Sequence, residues 1–200
     1  MNISVDDIKK LKTLTGVGLT DAKAALTESG GDFDKALEAM RKKGLTKAEK
    51  RGEREARAGL VDAYVHSGRV GVVVEVNCET DFVARTDEFK TLVHDVALQV
   101  AASAPEYITL EDVPADIRDK KAAEFTEKVI AEGKPAAMAE KIVEGQLTKY
   151  FGEKTLLAQP FVKNPDQTVD AMVKEYIAKL GENIVVRQIR RIELGVSESI

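Results

Sequence analysis

Two hundred residues, 44% hydrophobic and 32% charged, are enough for a protein with a real core, so a disordered or fibrous chain and a disulfide-stapled miniprotein are both excluded. The single cysteine, Cys78, rules out an internal disulfide; no apolar run approaches the ~20 residues of a membrane span, and the acidic start MNISVDDIKK is no export signal, so a cytoplasmic setting is expected. A net charge of −4 disfavours wholesale binding to nucleic-acid phosphates and leaves a protein or a small molecule as the expected partner.

Residues 1–44 predict three short helices divided by glycine-bearing turns. Ser4 is placed as the first N-cap, with Asp6 and Asp7 in the opening turn and Ile8, Leu11 and Leu14 as an apolar stripe. Thr15-Gly16-Val17-Gly18 stops that helix. Thr20 is placed to cap the second, which carries Ala24, Ala25 and Leu26 and runs to Gly30-Gly31. Asp32 caps the third, with Phe33, Leu37 and Met40 on one face and Gly44 as its end. Such a module resembles a ubiquitin-associated-like bundle, a comparison of fold that carries no function by itself. Residues 45–58 read as a charged linker or a solvated helix. Glu49, Glu53 and Glu55 interleave with the basic residues, Glu53 stands at helical spacing from Arg57, and mixed-sign runs face water more often than RNA.

Residues 59–200 predict an α+β core, an antiparallel sheet packed with helices. Gly59 to Val65 and Arg69 to Val76 flank His66-Ser67-Gly68, a hairpin turn by composition. Val70, Val72, Val74 and Val76 make one face of the second strand apolar, and a helix from Asp87 to Ser103, capped by Thr86 and carrying Phe89, Leu92, Val93, Val96 and Val100, is the natural cover. A helix from Asp116 to Glu132 follows the turn-rich connection between Pro105 and Pro114. After Gly133-Lys134-Pro135 comes another with Met138, Ile142, Leu147 and Tyr150, ending near Gly152. Leu156 to Val162 reads as extended, an edge strand or no strand because of Pro160. A last helix with Met172, Val173, Tyr176, Ile177 and Leu180 stops at Gly181, and Ile184 to Leu194 closes the sheet. There Ile184, Val186, Ile192 and Leu194 share a phase that Gln188 and Arg190 break, which a bulge or a partner-facing surface would explain.

Catalytic and cofactor signatures are missing. There is no GxxxxGK[ST] loop and no GxGxxG after a strand; Cys78, His66 and His94 lack the spacing of a zinc site or a nucleophile motif. No enzyme activity, cofactor or metal is expected. One segment stands apart, Val76-Asn77-Cys78-Glu79-Thr80-Asp81-Phe82-Val83-Ala84-Arg85, between an apolar strand and a helix start. By residue chemistry alone, Phe82 is expected to tuck into the local core.

The string VNCETDFVAR resembles the hallmark of the elongation factor Ts family. So do LKTLTGVGLTDAKAAL near the N-terminus and, towards the C-terminus, EKIVEGQLTKYFGEKTLLAQPFVKN and KLGENIVVRQIRRIELG. The similarity spans nearly the whole chain. The family also has a longer form with a duplicated core and an inserted coiled coil, for both of which this chain lacks room, so it is the short bacterial form that it matches. The resemblance implies a non-enzymatic guanine nucleotide exchange factor in translation elongation, with elongation factor Tu, GDP-bound and nucleotide-free, as partner and a homodimer as a further option. It also implies that Thr80, Asp81, Phe82 and Val83 enter the partner and dislocate its Mg2+, and that Thr15, Gly16, Val17, Gly18 and Leu19 of the N-terminal module dock elsewhere on the same domain.

Overall fold

Ser4 opens the first helix as predicted, its hydroxyl accepting from the Asp6 amide at 3.1 Å, in a computed structural model that describes residues 3–15, 18–132 and 136–196. Helix α1 (Val5–Thr15) buries Leu11, but Leu14 is exposed. Steps of three residues fall about 60° short of a full turn, so positions 8, 11 and 14 fan out and the last leaves the contact. Helix α2 (Leu19–Glu28) starts from Gly18, whose carbonyl accepts from the Ala22 amide; Thr20 therefore lies inside the helix and does not cap it. Asp32 does cap α3 (Phe33–Arg51), accepting from the Lys35 amide at 3.1 Å. The three helices close around Leu11, Leu26, Ala36 and Met40.

Gly44 does not end α3. It lies within the helix, where a Cβ would stand 3.2 Å from the Cβ of Ala178, so its bare Cα lets α3 lie close against the last helix of the chain. The helix runs on to Arg51, whose guanidinium donates to the Ile177 carbonyl at 3.0 Å, and Ala48 enters the main core. The helix has stopped before the expected Glu53–Arg57 pair could form; Arg57 meets Glu55 at 2.6 Å and Arg54 meets Glu79 at 3.5 Å.

Strand β1 (Ala58–His66) turns through Ser67 and Gly68, both at positive φ, into β2 (Val70–Cys78). A single helical turn, α4 (Asp81–Ala84), precedes α5 (Asp87–Ser103). Helices α6 (Ala115–Ala131) and α7 (Ala136–Lys154) share a small core of Val129, Ala139 and Val143. The break expected at Gly133-Lys134-Pro135 lies outside the described residues, and α7 passes Gly152 by two residues. The stretch expected to be extended from Leu156 contains a 3-10 turn, Leu156–Ala158, and only β3 (Pro160–Phe161) is strand. It pairs with β4 (Asn164–Thr168), whose polar sequence NPDQT carries no strand signal. Helix α8 (Val169–Leu180) ends at the left-handed Gly181, and β5 (Ile184–Glu193) completes an antiparallel sheet of order β1-β2-β5.

The architecture is α+β, as the sequence predicts. Val72, Val74 and Val76 of β2 pack with Phe89, Leu92, Val93, Val96 and Val100 of α5 and with Met172, Val173 and Ile177 of α8. The broken phase of β5 is a bulge: Glu75 faces Gln188 and Val76 faces Val186, leaving Arg187 extra. Ile184 and Val186 point to the core before it. Beyond it the faces exchange, so Ile192, expected to share their phase, is 74% exposed and Leu194 is exposed too. The outer face of the sheet consequently bears Val61, Val65, Val73 and Ile192, all exposed.

Candidate partner-binding loop

Strand β2 delivers Cys78 into the core, and the chain then leaves the sheet through Glu79 and Thr80. Thr80 is extended and N-caps α4, its hydroxyl oxygen accepting from the Val83 amide at 3.4 Å. Ala84 is buried beneath the turn and Val83 packs on the core. Thr86 then starts α5, accepting from the Phe89 amide at 3.2 Å while its hydroxyl donates to the Val83 carbonyl at 2.8 Å. The turn is therefore held at both ends.

Phe82 is 80% exposed. The expectation from residue chemistry, that its ring tucks into the local core, is not met, because Val83, Ala84 and the fully buried ring of Phe89 already fill that space. Beside it Asp81 pairs with Arg85 at 2.7 Å across one helical turn, both side chains well exposed. The loop thus presents an apolar ring next to a carboxylate paired with a surface cation. Two carboxylates tie its base to the turn after α8, one from that turn and one from the base itself. The Glu182 carboxylate accepts from the Thr80 amide at 3.0 Å and from the Thr80 hydroxyl at 2.6 Å, while Glu79 accepts from the Asn183 amide at 2.7 Å. Reading the sequence did not single out Glu182; its place within KLGENIVVR was the available signal.

Cys78 is fully buried and its thiol donates to the Thr80 carbonyl at 3.1 Å. Burial first, and the nearby Glu182 charge second, push its pKa up to about 11, so at neutral pH it is a thiol and a poor nucleophile. The two histidines are engaged by β1: His94 with Asp62 at 3.2 Å and His66 with the Tyr64 hydroxyl at 3.0 Å. Among the described residues no group of three His, Cys, Asp or Glu could hold a metal ion, and no helix is long and apolar enough to cross a membrane.

In the N-terminal module Thr15 closes α1, its hydroxyl donating to the Leu11 carbonyl at 2.6 Å, and Gly18 opens α2. Leu14 and Leu19, on either side of this junction, are exposed; Gly16 and Val17 lie outside the described residues.

A sequence profile of the family described as "Elongation factor TS" matches residues 19–176. Proteins named elongation factor Ts are similar over nearly the whole chain. That of Moorella thermoacetica is 52% identical over 194 residues, 96% of each chain. That of Carboxydothermus hydrogenoformans is 52% identical over 94% of this chain and 87% of its own, and that of Coprothermobacter proteolyticus is 50% identical over 98% and 100%. With a matching profile over most of its length and relatives at half identity end to end, the chain belongs to the elongation factor Ts family of translation elongation factors.

Proposed function

We propose that the chain is a cytoplasmic guanine nucleotide exchange factor that binds elongation factor Tu in its GDP-bound form, promotes loss of GDP and so allows GTP to load, with no covalent chemistry of its own. The observation that carries this reading is the exposed Phe82 ring on a turn anchored from beneath. Burying such a ring is worth about 1.5–3 kcal/mol, which a docking partner gains. Guanine nucleotide is held in GTPases of this kind by phosphate-loop backbone groups and by a magnesium ion bridging phosphates to protein. Phe82 wedges beside that magnesium site, Asp81 supplies the polar contact that disturbs the metal's surroundings, and Thr80 and Val83 shape the tip. Asp81 must leave Arg85 to do so, and an exposed ion pair is worth only about 0–1 kcal/mol, so the exchange of partners is cheap. Thr15, Gly18 and Leu19, with Gly16 and Val17, dock on another part of the same domain, a role supported by the exposed Leu14 and Leu19.

Linkage sets the rest. The factor needs to bind the nucleotide-free partner better than the GDP-bound one, and whatever factor it takes from GDP affinity, GDP takes from its own. Elongation factor Tu preloaded with a fluorescent GDP should therefore lose it faster when the chain is added, and excess GDP should weaken capture of elongation factor Tu by the immobilised chain. Binding without acceleration would make it an adaptor and overturn the proposal. Cys78→Ser, which keeps a donor for the Thr80 carbonyl, should retain the acceleration; its loss would favour a thiol-dependent enzyme.

A homodimer is a second element of this reading, and the exposed apolar residues on the outer face of the sheet, which Glu75, Gln188 and Arg190 share, support it. Antiparallel sheets that face water on one side usually alternate apolar-in with polar-out, yet here Val61, Val65, Val73 and Ile192 share the outer side. Two copies stacked sheet to sheet would cover them. Sedimentation velocity should find a dimer that Val73→Glu converts to monomer; a monomer at every concentration of the unaltered chain would remove this part of the proposal.

A further inference from the structure

The Phe82 ring is 80% exposed, so little of the protein packs against it and the base of the loop is the part that can aim it. There, every polar group of Thr80 is held by the body of the protein. Its amide donates to one Glu182 oxygen at 3.0 Å, its hydroxyl to the other at 2.6 Å, and its carbonyl accepts from Cys78 at 3.1 Å. Because the hydroxyl hydrogen is committed to Glu182, the oxygen lone pairs are left for the Val83 amide, the capping contact that starts the one-turn helix. Glu182 reaches this position because left-handed Gly181 ends α8 and swings the chain back towards the end of β2.

The next residue grips the other side. Asn183, 2% exposed, donates its own amide to Glu79, and its side chain donates to the carbonyls of Gly52 at 3.3 Å and Arg54 at 2.6 Å, in the segment just after α3. Arg54 in turn lies 3.5 Å from Glu79. One turn between α8 and β5 therefore fastens both the base of the Phe82 loop and the connection from the N-terminal helices.

We propose that Glu182 is the positioning residue of the partner-binding loop, and that with Asn183 it sets the loop and the N-terminal module in a fixed relation before the partner arrives. This rests on the exchange-factor reading above. A loop ordered in advance does not have to be ordered on binding, so the effect belongs in the concentration of factor needed more than in the limiting rate. Glutamine at 182 can still accept from the Thr80 amide, but its NH2 must donate to the Thr80 hydroxyl, which forces that hydroxyl to turn round. Alanine keeps neither contact.

The test is fluorescent-GDP release from elongation factor Tu, titrated with full-length wild type, Glu182→Gln, Glu182→Ala, Phe82→Ala and the Glu182→Ala/Phe82→Ala double variant. The half-maximal concentration should rise about tenfold for Glu182→Ala and about threefold for Glu182→Gln, the loss of charge-assisted hydrogen bonds being graded in that order, with the rate at saturation changed less. Hydrogen exchange should speed up at the Asp81–Arg85 amides and stay unchanged in α5, a local signature that general destabilisation would not give. The ring is the largest contact that Glu182 aims, so the double variant should lose much less than the sum of the two single variants; strictly additive losses would overturn the inference. If Glu182→Ala does not fold, the glutamine variant and its exchange pattern carry the test. A Glu182 series equal to wild type alongside an impaired Phe82→Ala would sink this inference alone, whereas an unimpaired Phe82→Ala would sink the exchange reading beneath it.

Discussion

Phe82→Ala is expected to slow GDP release from elongation factor Tu by about ten- to a hundredfold at limiting factor, the equivalent of the 1.5–3 kcal/mol that a buried phenylalanine contributes. The fold should not register the change. The ring is 80% exposed in the free chain, while the turn that carries it stands on Ala84, Val83 and the Thr80 cap, none of which the substitution touches. Surface substitutions of this kind stay within about 0.5 kcal/mol. The two measurements therefore have to separate: a rate lost in the stopped-flow assay and a thermal midpoint that barely moves. If the release rate is unaltered the wedge assignment is wrong, and if the midpoint collapses with it the loss of rate reports unfolding instead.

Gly59→Ala should have the largest effect on stability, about 2–4 kcal/mol, from strain that no neighbour can relieve. Gly59 lies near the start of β1 at φ 146°, directly across from Asn77 of the central strand. A Cβ there would stand 2.2 Å from the Val76 carbonyl oxygen and 2.7 Å from the Asn77 Cα. Both are backbone atoms of a strand paired on each side, so neither can swing away as the tip of a side chain would. For a chain of this size each kcal/mol moves the thermal midpoint by about 2–4 °C, so a drop of roughly 5–15 °C is expected by calorimetry or circular dichroism. Gly71→Ala is the internal control, since nothing stands within 4 Å of a Cβ at that position on the same sheet. Equal midpoints for the two variants would show that the close approach at Gly59 is not what constrains it. The stretch that Gly59 abuts leads two residues later into the proposed partner-binding loop, so on that reading a partly folded Gly59→Ala should also lose exchange activity.

Much of this molecule is legible one segment at a time. Thr86 before Phe89, Asp32 before Lys35 and the alternating valines of β2 announce their elements because caps and periodicity act over three or four residues, and those elements start at or within a residue of where the sequence places them. Gly44 shows where such reading fails. A glycine that ends a helix and one that lets two helices approach look the same in a string, and only Ala178, far along the chain, distinguishes them. The polar strand Asn164–Thr168 was invisible for a similar reason, since its strand character comes from its partner and not from its own side chains.

What the sequence by itself determined is the α+β class, the apolar faces of the helices and of β2, and, through the VNCETDFVAR and KLGENIVVR strings, the family and the segment to inspect. Tertiary structure alone decided which way Phe82 faces, because burial is a competition for volume that Phe89, Val83 and Ala84 win. It also decided the side on which Ile192 emerges, since one extra residue at Arg187 exchanges the two faces of β5. The grip of Glu182 on Thr80 belongs to the same class: 102 residues separate the two along the chain, and local patterns carry no record of a hydrogen bond made over that distance.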